Sequence, residues 1–293
     1  MGSRAVNAIF GMVVTVAMVF GGYLLAGGKM EIITHALPFE GMMIGGAALG
    51  AFLAANDLTT IKHTMGDIAS VFKGPKWKKQ DYQDLLCLLH ELLNVLKQNP
   101  VDIEPHIESP NESDIFTKYP KILKDHSAVE MICDTIRSMI MNFDNVHQVE
   151  ELLEAQLEGL QEDSLHGAHA LQNMADALPA LGIVAAVLGV IKTMAAIDKP
   201  PEILGGMIGG ALVGTFLGVF LAYGIVGPFA NKVKHNRTEE HFFYTTIGGL
   251  LVSNLHHNPV NISVEVARRH APARVRPSFD DVEQAIRELK RAA

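Results

Sequence analysis

Ile203-Leu-Gly-Gly-Met-Ile-Gly-Gly-Ala-Leu-Val-Gly-Thr-Phe-Leu-Gly-Val-Phe-Leu-Ala-Tyr-Gly-Ile-Val-Gly-Pro-Phe-Ala230 runs for 28 residues without Asp, Glu, Lys or Arg. A helix crosses the hydrocarbon of a bilayer with ~20 mostly apolar residues, so this stretch is long enough to span. Three further stretches share its character. Ala5–Gly28 has 24 residues and no charge, Gly41–Asn56 has 16 and none, and Pro179–Ile197 has 19 with Lys192 alone. The 16-residue stretch reaches spanning length only by taking in Leu37–Glu40. Elsewhere the charge density approaches the ~25% of ordinary soluble domains. The overall 19% is therefore an average over two environments.

The expected fold is all-α, a polytopic membrane protein with four transmembrane helices and a helical cytoplasmic domain. Residues 1–56 and 177–230 supply two pairs of spans. Residues 57–176 form the cytoplasmic domain, and 231–293 a cytoplasmic helical tail. Orientation follows from basic residues beside the spans. Lys62, Lys73, Lys76, Lys78 and Lys79 follow the second span, and Lys232, Lys234 and Arg237 follow the fourth, against only Lys29 and Lys199 on the opposite loops. Both termini are then cytoplasmic. A fifth uncharged run, His241–Val264, has an apolar heart of 11 residues (Phe242–Val252), the length of a core helix rather than a span.

Helix signals fill the polar part. Leu85, Leu89, Leu92 and Leu96 form a helical stripe, as do Val129, Ile132, Ile136 and Ile140. Ser109-Pro110-Asn111-Glu112 and Ser127-Ala128-Val129-Glu130 read as capping boxes. Pro277-Ser278 introduces an amphipathic helix over Phe279–Arg291. Helix runs from about Val146 toward the third span, with a break expected near His166-Gly167.

Composition excludes several functions. A net charge of −8 and a pI near 5.9 give no footing for nucleic acid. Two cysteines make no disulfide framework. No nucleotide-binding or hydrolase motif occurs, so no enzyme activity and no cofactor are expected. The HxxH of His166 and His169 lacks a further ligand in register, so no metal site is expected.

The spans hold 19 of the 26 glycines, with Gly206, Gly210, Gly214 and Gly218 at every fourth residue. Small residues at this spacing let helices approach closely in lipid, within one subunit or between subunits. No span carries an acid in its interior. Glu40, the nearest, is placed at the outer edge of the second. An ion relay normally uses an ionisable side chain inside the membrane, so a partner would have to supply it. Pro179 and Pro228, at the cytoplasmic ends of spans three and four, either bound their helices or kink them.

The chain resembles the MotA family of flagellar motor stator subunits, within the MotA/TolQ/ExbB proton channel superfamily. Five motifs carry the resemblance, in order: Phe20-Gly-Gly-Tyr-Leu-Leu-Ala-Gly-Gly28, Glu112-Ser-Asp-Ile-Phe-Thr-Lys-Tyr-Pro120, Leu178-Pro-Ala-Leu-Gly-Ile-Val-Ala-Ala-Val-Leu-Gly-Val190, Gly214-Thr-Phe-Leu-Gly-Val-Phe-Leu-Ala-Tyr-Gly-Ile-Val-Gly-Pro228 and Arg276-Pro-Ser-Phe279. The resemblance implies a homopentamer around a dimer of MotB in the bacterial inner membrane. MotB brings the transmembrane aspartate, protons are the coupling ion, and the rotor protein FliG is pushed by the cytoplasmic domain. By motif position, Pro179 and Pro228 are hinge prolines. Ala186, Thr215 and Tyr223 face the ion pathway or the partner, and Lys97 and Glu104 face the rotor. Ala186 replaces the pore threonine of sodium-driven relatives, which removes a hard oxygen ligand and favours protons. The alternative is an energiser of envelope transport of the TolQ/ExbB type.

Overall fold

The computed structural model describes residues 3–141 and 145–292, and among these there is no strand. Twelve α-helices follow one another: α1 (Ser3–Leu25), α2 (Met30–Ala55), α3 (Leu58–Lys73), α4 (Lys79–Gln98), α5 (Pro100–Glu108), α6 (Pro120–Leu123), α7 (His126–Met141), α8 (Val146–Met194), α9 (Pro201–Leu221), α10 (Gly227–Leu255), α11 (Val260–His270) and α12 (Phe279–Ala292). Two compact units result. The first is Met1–Gly74 with Leu165–Asn236, and the second is Pro75–Ser164 with Arg237–Ala293, so the division falls within α8 and α10.

The first unit holds the apolar helices. Three helical stretches are long and apolar enough to cross a membrane: Met30–Ala55, Val146–Met194 and Pro201–Leu255. Ile9–Leu25 is a shorter apolar helix. The chain is thus a membrane protein. α2 is longer than its uncharged core because it starts at Met30, with Pro38 inside it. Its residues Ile32, Ala36, Glu40, Ile44 and Ala48 recur every fourth position, which sets them on one face. Ile44, Ala48 and Glu40 are buried there, and Ile32 and Ala36 lie against Gly209 and Gly210 of α9. Phe20 of α1 meets Phe216 and Phe220 of α9 edge-on, at centroid distances of 5.9 and 5.5 Å.

The second unit is built on α4. Leu85, Leu86, Leu88, Leu89, Leu92 and Leu93 are all buried, so the helix is covered on more than its expected stripe. α7 contributes Ile132 and Ile136, and α10 contributes Phe243, Ile247, Leu250 and Leu251. The uncharged run at His241–Val264 is therefore part of this core. Trp77 stacks on Phe243 at 3.8 Å. Cys87 and Cys133 are free and buried, and burial pushes both thiols up to about 12.

Local signals were partly misplaced. No helix starts at Ser109; the chain turns there, and the Ser113 hydroxyl accepts the Ile115 and Phe116 amides at 3.2 and 3.3 Å, tying the backbone into a 3-10 turn. α7 starts one residue before Ser127, and Asp125 Oδ1 accepts the Ala128 amide at 2.9 Å. The last helix is capped as expected: Ser278 N–H donates to Asp281 Oδ2 at 3.0 Å, and Asp281 N–H to Ser278 Oγ at 3.1 Å. α8 runs through His166-Gly167 without a break. Gly167 is there for room: a Cβ on it would lie 2.3 Å from Asp67 Oδ2 and 3.3 Å from Thr64 Oγ1 of α3.

Candidate functional site

α8 and α9 meet through backbone. A Cβ on Gly182 would lie 2.9 Å from the Gly214 carbonyl oxygen and 3.0 Å from Gly218 Cα. On Gly218 it would lie 2.6 Å from the Leu178 carbonyl oxygen. Such approach maximises dispersion contacts where no hydrophobic effect drives helices together. Two of the three expected ion-pathway positions, Ala186 and Thr215, lie at or beside this seam. A Cβ on Gly214 would lie 3.2 Å from Ala186 N, and Thr215 follows directly. Thr34 and Thr193 donate to their own helices at 3.1 and 2.9 Å, the default for a threonine in lipid. Thr215 makes no such bond among the described residues, which leaves its hydroxyl for another group.

One acid belongs to this group of helices. Glu40 is the eleventh of the 26 residues of α2, which begins well before the uncharged run. It is buried, and its Oε2 has no hydrogen-bond partner among the described residues. That oxygen would lie 2.6 Å from a Cβ on Gly214. The apolar helices therefore do contain an acid of their own. The signal was the fourfold spacing Ile32–Ala36–Glu40–Ile44–Ala48, overlooked because the span was cut at its charges.

The two prolines behave differently. Pro179 neither starts nor ends a helix; it lies inside α8, where it cannot donate to the Ala175 carbonyl. Pro228 is the second residue of α10, directly after a π-helical turn over Ala222–Val226. The Gly227 amide donates to Ala222, five residues back. Widening the turn in this way accommodates the missing donor at Pro228. Tyr223 lies in that turn and is 71% exposed.

Lys97 and Glu104 belong to the second unit. Asn99 lies between α4 and α5 and caps both; its Oδ1 accepts the Val101 amide at 3.2 Å, and Pro100 opens α5. Lys97 in the last turn of α4 and Glu104 in α5 are exposed, and neither has an ion-pair partner among the described residues. Their neighbours are paired: Lys118 with Glu91 at 2.6 Å, and Arg137 with Glu108 at 2.9 Å. Among the described residues no three His, Cys, Asp or Glu side chains gather in a way that could hold a metal.

Residues 9–100 match the motility protein A N-terminal family, and residues 125–252 the MotA/TolQ/ExbB proton channel family. Motility protein A of Salmonella typhimurium is 37% identical over 283 residues, 96% of this chain and 95% of its own length. The chain belongs to the motility protein A family. Two solved structures share the MotA fold. That of C. jejuni MotAB has a TM-score of 0.70 at 19% identity, covering 94% of this chain and 99% of its own. The flagellar MotAB stator complex from Bacillus subtilis has a TM-score of 0.62 at 19% identity, covering 94% and 98%. As a member of the MotA family, a family of channel subunits, this chain is a subunit of the flagellar motor stator.

Proposed function

We propose that five copies of this chain surround a dimer of MotB in the bacterial inner membrane, pass protons and turn the rotor through FliG. Kinship with motility protein A along nearly the whole chain carries this reading. In it, four helices span the bilayer, α1, α2, the apolar end of α8 and α9. Residues 57–176 and 231–293 and both termini are cytoplasmic, as the lysines at 62, 73, 76, 78 and 79 favour. Uncovered apolar surface supports an assembly: Ile183, Val184, Val187 and Leu188 of α8 are exposed in the single chain, and Gly41, Gly45, Gly46 and Gly50 of α2 have open space around them. A proton falling through about 150 mV releases ~3.5 kcal/mol, well above thermal energy. Pro179 and the π turn before Pro228 are the hinge that this energy bends. Ala186, Thr215 and Tyr223 line the proton path or the MotB helices, with the unpaired Thr215 hydroxyl in favour. Lys97 and Glu104 press on FliG, a role suited to charges that the chain leaves unpaired. The TolQ/ExbB type of energiser is not favoured by these relatives.

Reversing both charges, Lys97→Glu with Glu104→Lys, tests the rotor contact. Torque should fall several-fold while the protein still reaches the membrane, and opposite charge changes on FliG should restore motility. Unchanged swimming would remove Lys97 and Glu104 from that role.

A further inference from the structure

Glu40 calls for an explanation that packing does not supply. Its neighbours on the α2 face are Ile32, Ala36, Ile44 and Ala48, all apolar. Opposite it are Gly214, which leaves it room, and next to Gly214 the Ala185 Cβ and Ala186 N of α8, 3.3 and 3.2 Å from where a Gly214 Cβ would lie. None of these side chains pairs with a carboxyl, and Oε2 is buried without a hydrogen bond. Acids in such a place are costly and mark ion pathways or proton relays. The other charged and titratable groups are few. Lys192 of α8 lies six residues beyond Ala186, ~9 Å further along that helix. On α9 the one such group before Gly214 is Glu202, ~18 Å away along the helix. On α2 itself, Glu31 lies ~13 Å up the helix, and His35 projects from a different face.

We propose that Glu40 is a proton-carrying residue of this chain, a station on the outer half of the path before the partner's acid. The position fits the step: ten residues into α2, it stands ~15 Å from the helix start, beside the Gly214–Thr215 segment. The chemistry is an acid–base exchange. The Glu40 carboxylate takes a proton from hydronium, leaving water. That O–H bond later breaks as the proton passes to the next acceptor, and the carboxylate is restored. This rests on the stator reading above and gives that reading a second acid, repeated in each copy.

The test uses the full chain co-purified with its membrane partner in proteoliposomes. First, the wild-type complex is treated with a hydrophobic carbodiimide, which adds to protonated carboxyls and leaves a stable N-acylurea, and mapped by peptide mass spectrometry. Modification at Glu40 that declines as pH rises is expected, with proton flux falling in step. Second, flux is measured for Glu40→Gln, which keeps the shape, and Glu40→Asp, which keeps the acid. A loss of at least tenfold is expected for the first and partial flux for the second, at equal complex yield. Glu40 left unmodified, or Glu40→Gln conducting as wild type does, would overturn the inference while leaving the stator reading intact. A wild-type complex that passes no protons would overturn the stator reading itself. Should Glu40→Gln fail to assemble, the carbodiimide result on the wild-type complex decides.

Discussion

Gly182 and Gly218 meet where no side chain fits, whereas a Cβ added to Gly45 of α2 would find nothing within 4 Å. The contrast separates glycines that pack this chain from glycines open to a neighbour. Gly218→Ala places a methyl 2.6 Å from a carbonyl oxygen and 2.8 Å from Gly182 Cα, so backbone must move. Overpacking of this kind costs about 1–3 kcal/mol. The purified chain should lose several degrees of thermal midpoint in detergent, and Gly45→Ala should lose none; equal midpoints would contradict the α8–α9 seam. A second residue-scale effect is electrostatic. Arg268 donates to Glu265 at 2.6 and 2.8 Å and Arg269 at 2.9 Å, holding that carboxyl down at about 2. The unfolded value is about 4.3. A folded pKa below the unfolded one stabilises fully above the unfolded value and loses that contribution as pH falls toward the folded one. Denaturant midpoints should thus fall between about pH 4.5 and 2, and Glu265→Gln should flatten that part of the profile.

At the scale of elements, the prolines and the helix starts carry the lesson. Pro179 leaves the Ala175 carbonyl without its helical donor, a built-in weak point in a 49-residue helix. Pro179→Ala should strengthen the helix at that point. The expected outcome is complex of normal amount with motor rotation reduced at least tenfold, read from tethered cells; normal rotation would remove the hinge. Apolar runs located α1, α2, α8 and α9 from sequence because lipid-facing helices need length without charge. The stripes Leu85–Leu96 and Val129–Ile140 located α4 and α7 for the same reason, a buried face at helical spacing. Boundaries were less readable. Ser109 and Ser127 resemble caps, but Asn99, Ser113 and Asp125 make the bonds, since which oxygen reaches an amide depends on where the chain turns. Glu40 was obscured because an acid was read as the end of a span, when its neighbours at four-residue intervals continue the helix face through it.

Over the whole molecule, the charge pattern separates an apolar group of helices from a polar one, and the two compact units follow that separation closely. The unpaired surface charges Lys97 and Glu104 lie in one unit, and Glu40, Ala186 and Thr215 in the other. A stator needs both kinds of site, one to take energy from ions and one to deliver force. The roles expected of Lys97 and Thr215 came only through resemblance, because a lone lysine or threonine has no spacing to announce it. We propose that this chain is the ion-driven, force-producing subunit of the flagellar motor. The most direct measurement is the rotation of a bead on a flagellar stub in cells lacking this chain while its expression is induced. Rotation should start from zero, rise in discrete steps as units join, and stop when the proton gradient is collapsed. Full-speed rotation before induction, or steps that persist without the gradient, would contradict it.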